Sequence, residues 1–326
     1  MTQARVIIGG GVAGLCVATE LVARGCEVTI FDPSPRPGPH GCSWWAGGML
    51  APFCESETAE EPVVRLGQEA AAWWERQGVT VHRRGTLVLT LGRDRRELDR
   101  FARRVAGREM LDPAGLAALE PDLGDRFDRA LHVAGEAHLD PRAALIHLRD
   151  RLKQGGVRFV AEPGRPTGLT FDCRGLAARD ALRDLRGVKG EMVVLRSADI
   201  RLTRPVRLLH PRYPLYVVPR ADGLFMLGAT QIETDDRRRS VRSALELLSA
   251  AYALHPAFGE AELVEIGVDA RPAFPDNLPR LIRRGETIHV NGLFRHGFLL
   301  APALARMAVE AACDGSKPEF WHEDHG

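Results

Sequence analysis

Three glycines and one aspartate near the N-terminus have the types and spacing that bind a dinucleotide. Gly9, Gly11 and Gly14 form the pattern Gly-x-Gly-x-x-Gly between an apolar run and a helical pattern. There the first glycine allows a tight turn, the second admits a pyrophosphate close to the backbone, and the third lets helix and strand pack closely. Asp32 follows the next apolar run and can accept hydrogen bonds from a ribose diol. We therefore predict a dinucleotide site, with the phosphates at the helix N-terminus.

Four further motifs follow in order and indicate which dinucleotide is bound, since NAD and FAD proteins share the glycine pattern. They are residues 43–52 (SWWAGGMLAP), residues 216–220 continuing to 228–230, residues 271–279, and residues 292–297. Together they resemble the D-amino-acid oxidase superfamily, and within it the glycine oxidases of thiamine biosynthesis. The resemblance spans nearly the whole chain.

This resemblance implies a fold and a cofactor. The expected fold class is α/β (α+β), with a Rossmann-like domain that binds FAD non-covalently and a mixed-sheet substrate domain, interleaved in sequence. The FAD-binding domain is expected from residues 1–80, 138–189 and 266–326, and the substrate domain from residues 81–137 and 190–265.

The resemblance also implies which side chains bind the substrate. Arg271 matches the arginine that pairs with the substrate carboxylate, and its planar guanidinium can hold both oxygens. Tyr216 matches a tyrosine whose hydroxyl reaches the same carboxylate. Arg295 is expected near substrate and flavin, where it and a helix N-terminus would stabilise the negative charge of reduced flavin. His296 is interpreted as a hydrogen-bonded structural histidine rather than a base. Gln231 stands where some glycine oxidases have an apolar side chain, which leaves the exact amine open.

Several small residues are expected to contact the flavin. Gly47 and Gly48 would let the loop backbone approach the isoalloxazine ring, which a Cβ would obstruct. Met49 follows them and is assigned to both flavin and substrate. Gly175 resembles part of a second flavin-contact strand, although a simple left-handed turn explains it nearly as well. The other predicted cofactor contacts are Gly9, Gly11, Val12, Ala13, Gly14, Asp32, Ser43, Ala46, Arg295, His296, Gly297 and Leu299.

Composition excludes some function classes. Across 326 residues, 44 basic and 43 acidic side chains give a net charge of +1, which argues against a nucleic-acid or anionic-membrane binder. The six cysteines contain no Cys-x-x-Cys pair and favour a reducing cytoplasm. The apolar stretch 6–23 is interrupted by glycines and Glu20, so we predict no targeting or membrane segment. His40, Cys42 and Cys54 lie in irregular chain without a fourth ligand at suitable spacing, so we predict no metal site.

Local patterns predict the elements that hold these motifs. Strand 5–8, helix 15–24 and strand 27–31 form a βαβ start, and residues 33–52 form a functional loop. The further predictions are helix 61–77, strand 86–91, a helix capped by Asp140 that ends at Gly155, strand 157–160, a hairpin of strands 215–218 and 224–227, helix 244–254, irregular chain over 271–279, strand 287–290, and a last helix from about 301 to 312. The segment between Val160 and Phe171 looks shorter than the hairpin usual in the family.

The favoured function is FAD-dependent oxidation of glycine, or a similar small amino acid, to an imine and then glyoxylate and ammonia, with O2 reduced to H2O2. By resemblance, the imine would serve thiazole formation in thiamine biosynthesis, and the protein would be a homo-oligomer with thiazole-synthesis enzymes as partners. The alternatives are a D-amino-acid, sarcosine or imino-acid oxidase, a dehydrogenase with another acceptor, and a dinucleotide-binding protein without turnover.

Overall fold

The computed structural model describes residues 4–34, 36–162, 168–210 and 214–323, which form the predicted mixed α/β fold. The strands are β1 (Ala4–Ile8), β2 (Glu27–Phe31), β3 (Met49–Leu50), β4 (Thr86–Thr90), β5 (Arg108–Leu111), β6 (Ala130–Val133), β7 (Ala137–His138), β8 (Arg158–Val160), β9 (Thr170–Asp172), β10 (Arg186–Arg196), β11 (Val206–Leu209), β12 (Leu215–Pro219), β13 (Leu224–Gly228), β14 (Glu262–Ala273), β15 (Arg280–Arg284), β16 (Thr287–Asn291) and β17 (Trp321–Glu323). The α-helices are α1 (Val12–Ala23), α2 (Pro52–Glu55), α3 (Glu61–Gly67), α4 (Ala70–Arg76), α5 (Arg95–Arg104), α6 (Pro113–Leu119), α7 (Pro121–Gly124), α8 (Pro141–Gln154), α9 (Val241–Leu254) and α10 (Gly297–Asp314). Short 3₁₀ segments occupy Cys42–Trp45, Gly92–Asp94, Gly175–Asp180 and Pro256–Gly259.

The first sheet positions the glycine pattern. Its strand order is β17-β15-β16-β9-β1-β2-β8, and β1 pairs in parallel with both β2 and β9. Because the carboxyl ends of parallel strands meet at one sheet edge, the chain after Ile8, Phe31 and Asp172 converges there. Helices α1 and α10 pack against each other, and their buried residues share one hydrophobic core with the strands of this sheet.

The second sheet supplies the facing wall. Its order is β14-β10-β13-β12-β11-β4-β6-β5, and the long strands β10 and β14 pair antiparallel with Val188 opposite Arg271. Strand β10 crosses the domain boundary predicted at residue 190, and strand β14 crosses the one predicted after residue 265. The division into the two interleaved sets of segments stays a prediction.

Several predicted elements are confirmed by their hydrogen bonds. The βαβ start is present as β1, α1 and β2. The Asp140 carboxylate caps α8 by accepting from the backbone N–H groups of Arg142 and Ala143. The hairpin forms with Tyr216 opposite Gly228, and α9 begins at Val241, after Ser240 as its cap.

Three predicted segments are wrong in detail. Residues 271–273 are not irregular, because they continue β14 and pair with β10. The single helix predicted over 61–77 is two helices, α3 and α4. The loop 33–52 contains the short elements at Cys42–Trp45 and Met49–Leu50. The expected shortening between Val160 and Phe171 concerns residues 163–167, which lie outside the described residues.

The last helix begins at Gly297 rather than near residue 301, and an internal proline does not break it. Pro302 lacks the N–H that would bond to the Phe298 carbonyl. The indole N–H of Trp74 donates to that carbonyl at 2.9 Å and replaces the missing bond. The helix therefore extends to the cavity wall described below. Throughout the described ranges, no helix combines the length and the apolar character that crossing a membrane requires.

Candidate active site

The two sheets face each other across a cavity of about 1280 Å³. Its wall includes Gly9 and Asp32 from the first sheet edge and Tyr216 and Arg271 from the second sheet. Single small ligands usually occupy pockets of about 300–1,000 Å³, so this cavity has room for a dinucleotide and a substrate together.

The glycine pattern forms a cradle that side chains would fill. Gly9 has φ of 102°, and a Cβ there would lie 2.6 Å from the carbonyl oxygen of Cys173. A Cβ on Gly14 would collide with the carbonyl oxygen of Gly9, because α1 packs directly against the turn. Gly14 lies beneath the turn, whereas Gly9 and Gly11 line the cavity. The close approach that the pattern predicts is present.

Hydrogen bonds hold this cradle open. The Asp32 carboxylate accepts from the backbone N–H of Gly10 at 2.6 Å and from that of Ser34 at 2.8 Å. The hydroxyl of Ser43 accepts from the N–H of Val12, the first residue of α1, at 3.2 Å. Asp32 therefore orders the turn itself and also faces the cavity, where a ribose diol was predicted.

Two helix N-termini meet at the cavity. Helix α1 begins at Val12 and α10 at Gly297, and a Cβ on Gly297 would be 3.5 Å from a Val12 methyl group. Each N-terminus presents N–H groups and about half a positive charge. The residues present therefore fit a dinucleotide with negative phosphates and a ring that gains negative charge when it is reduced.

The Gly47–Gly48 turn is packed against protein atoms on both sides. A Cβ on Gly47 would lie 2.9 Å from the Tyr216 ring, and one on Gly48, whose φ is 70°, would collide with the Leu139 carbonyl. The Arg220 guanidinium donates to the Gly47 carbonyl at 2.6 Å and to the Leu139 carbonyl at 3.2 Å. The turn, which also lines the cavity, is thus fixed to the second sheet.

Arg271 faces the cavity as a cation without a carboxylate partner among the described residues. Its guanidinium packs against the backbone at Gly190 and donates to the Thr230 carbonyl at 3.2 Å. Burial lowers the pKa of this guanidinium, and burial raises the pKa of the neighbouring Tyr216 hydroxyl. An uncompensated guanidinium of this kind attracts an anion, and its planar fork matches a carboxylate.

Beside it lies an ion cluster around Glu55. The Glu55 carboxylate contacts the Arg207 guanidinium at 2.7 Å, that of Arg295 at 2.8 Å, and Nε2 of His296 at 2.9 Å. Burial alone would raise the pKa of this carboxyl, but Arg207, His296 and Arg295 together hold it well below its ordinary value. Glu55 is therefore ionised at neutral pH. The predicted structural role of His296 agrees with this contact but stays a prediction.

The remaining predicted site residues also reach the cavity. Those that line it are Val12, Ala13, Ser43, Ala46, Met49, Gly175, Gln231, Gly297 and Leu299. Gly175 has φ of 57° and starts a 3₁₀ segment after β9. The structure thus brings all the predicted site residues to one cavity, with Gly14 directly beneath it.

Sequence reasoning missed four residues that shape the site. Glu55 and Arg207 form the ion cluster, Arg220 fixes the glycine turn, and Gly190 makes room for Arg271. Arg220 is the last residue of the motif 216–220, although the sequence gives it no role, and Glu55 follows the motif 43–52 by three positions. Arg207 has no such signal, because it is one arginine among many in a chain with 44 basic residues.

Comparisons with known proteins agree with this site. The model of the DAO family, described as FAD dependent oxidoreductase, matches residues 5–311. A Rhizobium etli protein provisionally named as the thiamine biosynthesis oxidoreductase ThiO is 54% identical, covering 97% of this chain and 98% of its own. The glycine oxidase of Pseudomonas putida is 30% identical, covering 95% and 94%. The crystal structure of glycine oxidase from Geobacillus kaustophilus shares the fold, with a TM-score of 0.80, 23% identity, and 98% and 97% coverage.

These matches confirm the predicted superfamily, the fold class and FAD as the cofactor. The protein is therefore an enzyme that belongs to the DAO family of FAD-dependent oxidoreductases.

Proposed function

We propose that the enzyme oxidises glycine, or a similar small amino acid, at its α-carbon. The strongest support is that the Arg271 guanidinium has no carboxylate partner among the residues that the structure describes. Its only hydrogen-bond partner among the described residues is a backbone carbonyl. A partly buried cation with no counter-ion binds an anion favourably, and a carboxylate fits its fork with two parallel hydrogen bonds. A relative with 30% identity is named glycine oxidase, which supports an amine next to that carboxylate as the group to be oxidised.

In this proposal the chain acts by positioning. Arg271 and Tyr216 hold the carboxylate, which fixes the α-carbon, while Met49, Gln231 and Arg295 form the neighbouring wall. No side chain is obligatory as acid or base, because the amine reacts in its neutral form. Much of a reaction barrier can be removed by such orientation alone.

Non-covalently bound FAD would supply the redox chemistry, taking a hydride from the α-carbon and passing the electrons to O2. The overall reaction is glycine, O2 and water giving glyoxylate, ammonia and H2O2. We propose that this serves thiazole formation in thiamine biosynthesis, because the relative with 54% identity is named for that pathway. We further propose a cytoplasmic homo-oligomer that works beside thiazole-synthesis enzymes, with all six cysteines free.

The test is an aerobic assay with purified enzyme and glycine that measures O2 consumed and glyoxylate, ammonia and H2O2 formed. The proposal predicts equal amounts of all four. Sarcosine, D-alanine and a cyclic imino acid serve as parallel substrates. Turnover of one of these without glycine turnover would contradict the substrate, and substrate oxidation without H2O2 would contradict O2 as acceptor.

The close packing of the Arg271 guanidinium against Gly190 provides a second prediction. In Gly190→Ala, the new Cβ would lie 2.7 Å from Nη1 of Arg271, so the guanidinium must move. We expect the KM for glycine to rise about tenfold to a hundredfold, since small misplacements of binding groups have effects of this size. FAD content should not change. Gly92→Ala, where the added Cβ meets nothing within 4 Å, is the matched control. Equal KM values for the two variants would contradict the proposal that Arg271 binds the substrate.

A further inference from the structure

We infer that Glu55 makes the substrate site selective for amino acids with one carboxylate over amino acids with two. The inference rests on the proposed function and assigns a specificity role to a residue outside the substrate contacts described above. The charged side chains in one part of the cavity and the contacts that join them support it.

Three guanidinium groups share that part of the cavity. Arg271, Arg207 and Glu55 are among the groups that act electrostatically on the Tyr216 hydroxyl, and both Arg295 and Asp269 act on Arg271. The Asp269 carboxylate makes its own ion pair with Arg237 at 2.8 Å. All of these side chains line the same cavity. Without a counter-ion, the three cations would present an anion site with room for more than one carboxylate.

Glu55 pairs with two of the three, and its single negative charge neutralises one of their two positive charges. One carboxylate oxygen contacts Arg207 at 2.7 Å, and the other contacts Arg295 at 2.8 Å. Arg295 is further fixed by donating to the Thr58 hydroxyl at 2.6 Å. Both guanidinium groups are therefore engaged, and Arg271 is left as the cation with no carboxylate partner among the described residues.

Another carboxyl, that of Glu136, also lies near Arg207 but does not replace Glu55. Burial raises the pKa of Glu136, and one of its oxygens accepts from the N–H of Cys54 at 2.6 Å. Glu136 makes no ion pair with Arg207 among the described contacts. The fixed negative charge beside Arg207 and Arg295 is that of Glu55.

A consequence follows for substrates. The first carboxylate of any amino acid would bind Arg271. A second carboxylate would meet Arg207 and Arg295 with their charge partly neutralised by Glu55, so it would be attracted less strongly than without Glu55. With Glu55 neutral, Arg207 and Arg295 would attract the second carboxylate with their full charge. At an effective permittivity of about 20, a unit charge roughly 12 Å away changes the affinity by about tenfold, and a closer charge changes it by more.

The test compares two derivatives of glycine, as substrates or as competitors of glycine, with purified holoenzyme. Iminodiacetate carries a second carboxymethyl group on nitrogen, and N-ethylglycine is its counterpart with an ethyl group and no second carboxylate. In Glu55→Gln we expect the affinity for iminodiacetate relative to N-ethylglycine to rise about tenfold. Glu55→Asp should stay near the parent ratio, because it keeps the charge.

Two further variants separate charge from structural damage. Glu60→Gln removes an exposed charge from a nearby position that does not line the cavity and has no ion pair to either arginine among the described contacts, so it should leave the ratio unchanged. Arg207→Met removes one of the two positive charges that pair with Glu55. The affinity for iminodiacetate relative to N-ethylglycine should therefore fall below that of the parent enzyme. Arg207→Met alone still tests the inference if Glu55→Gln does not retain FAD.

A fall in affinity for both ligands by the same factor in Glu55→Gln would overturn the inference and assign Glu55 a purely structural role. An unchanged ratio in Arg207→Met would overturn it equally. If the parent enzyme oxidises glycine, the proposed function stands in either case. If it binds neither glycine nor the two derivatives, the proposed function itself is wrong.

Discussion

Arg271→Met is expected to raise the KM for glycine by about a hundredfold or more while the enzyme keeps its FAD. Removing one partner of a buried, hydrogen-bonded charge pair costs about 2–5 kcal/mol, which corresponds to roughly thirtyfold to several thousandfold in affinity. FAD should remain because Arg271 lies on β14, away from the glycine cradle on β1 and α1. Steady-state kinetics and the flavin absorbance of the purified variant measure the two effects separately.

Two controls make this prediction specific. Arg271→Lys keeps the charge but loses the planar fork, so its KM should lie between those of the parent and Arg271→Met. Arg283→Met removes an exposed arginine that lies outside the cavity lining and, among the described contacts, donates to the nearby Gly285 carbonyl; its KM should match that of the parent enzyme. A parent-like KM in Arg271→Met would mean that the substrate carboxylate binds elsewhere.

Gly14→Ala is expected to yield a folded protein that has lost most of its FAD. The new methyl group would collide with the Gly9 carbonyl, and α1 cannot move away because it is buried against α10 and the sheet. Overpacking of this kind costs about 1–3 kcal/mol. Here the displaced turn is the one predicted to hold the pyrophosphate, so the strain should weaken FAD binding by about tenfold to a hundredfold.

The ratio of flavin to protein absorbance, followed by titration with added FAD, measures this loss. Circular dichroism shows whether the fold persists. Gly92→Ala is again the control, since its Cβ would enter open space. A Gly14→Ala protein with a full complement of tightly bound FAD would contradict the assignment of the cradle to the dinucleotide.

The sequence alone predicts the cradle well because its determinants are local. Gly9, Gly11 and Gly14 must adopt one turn between a strand and a helix, and few other sequences satisfy that geometry. The Asp140 cap and the hairpin before Gly228 are predicted for the same reason. Each depends on residues that are close neighbours in the chain.

The features that the sequence does not predict depend on contacts between distant segments. Proline disfavours a strand interior, yet residues 271–273, including Pro272, form a strand because they pair with β10. The start of α10 at Gly297 is not predictable from local sequence, because Pro302 removes one helical hydrogen bond. The donor that replaces it is the indole of Trp74, far away in the chain. The Glu55 cluster joins α2, β11 and the turn before α10, and no local pattern links these three segments.

The central claim is that a small amino acid binds Arg271 and is oxidised in a cavity that also holds FAD. Anaerobic titration of the purified protein with glycine, followed through the visible flavin absorbance, tests it most directly. We expect the parent protein to be yellow and to be bleached by glycine. We expect the Arg271→Met protein to be equally yellow but to be bleached only at far higher glycine concentrations. A yellow parent protein whose absorbance does not change with glycine would contradict the substrate, and identical titrations of the two proteins would contradict the role of Arg271.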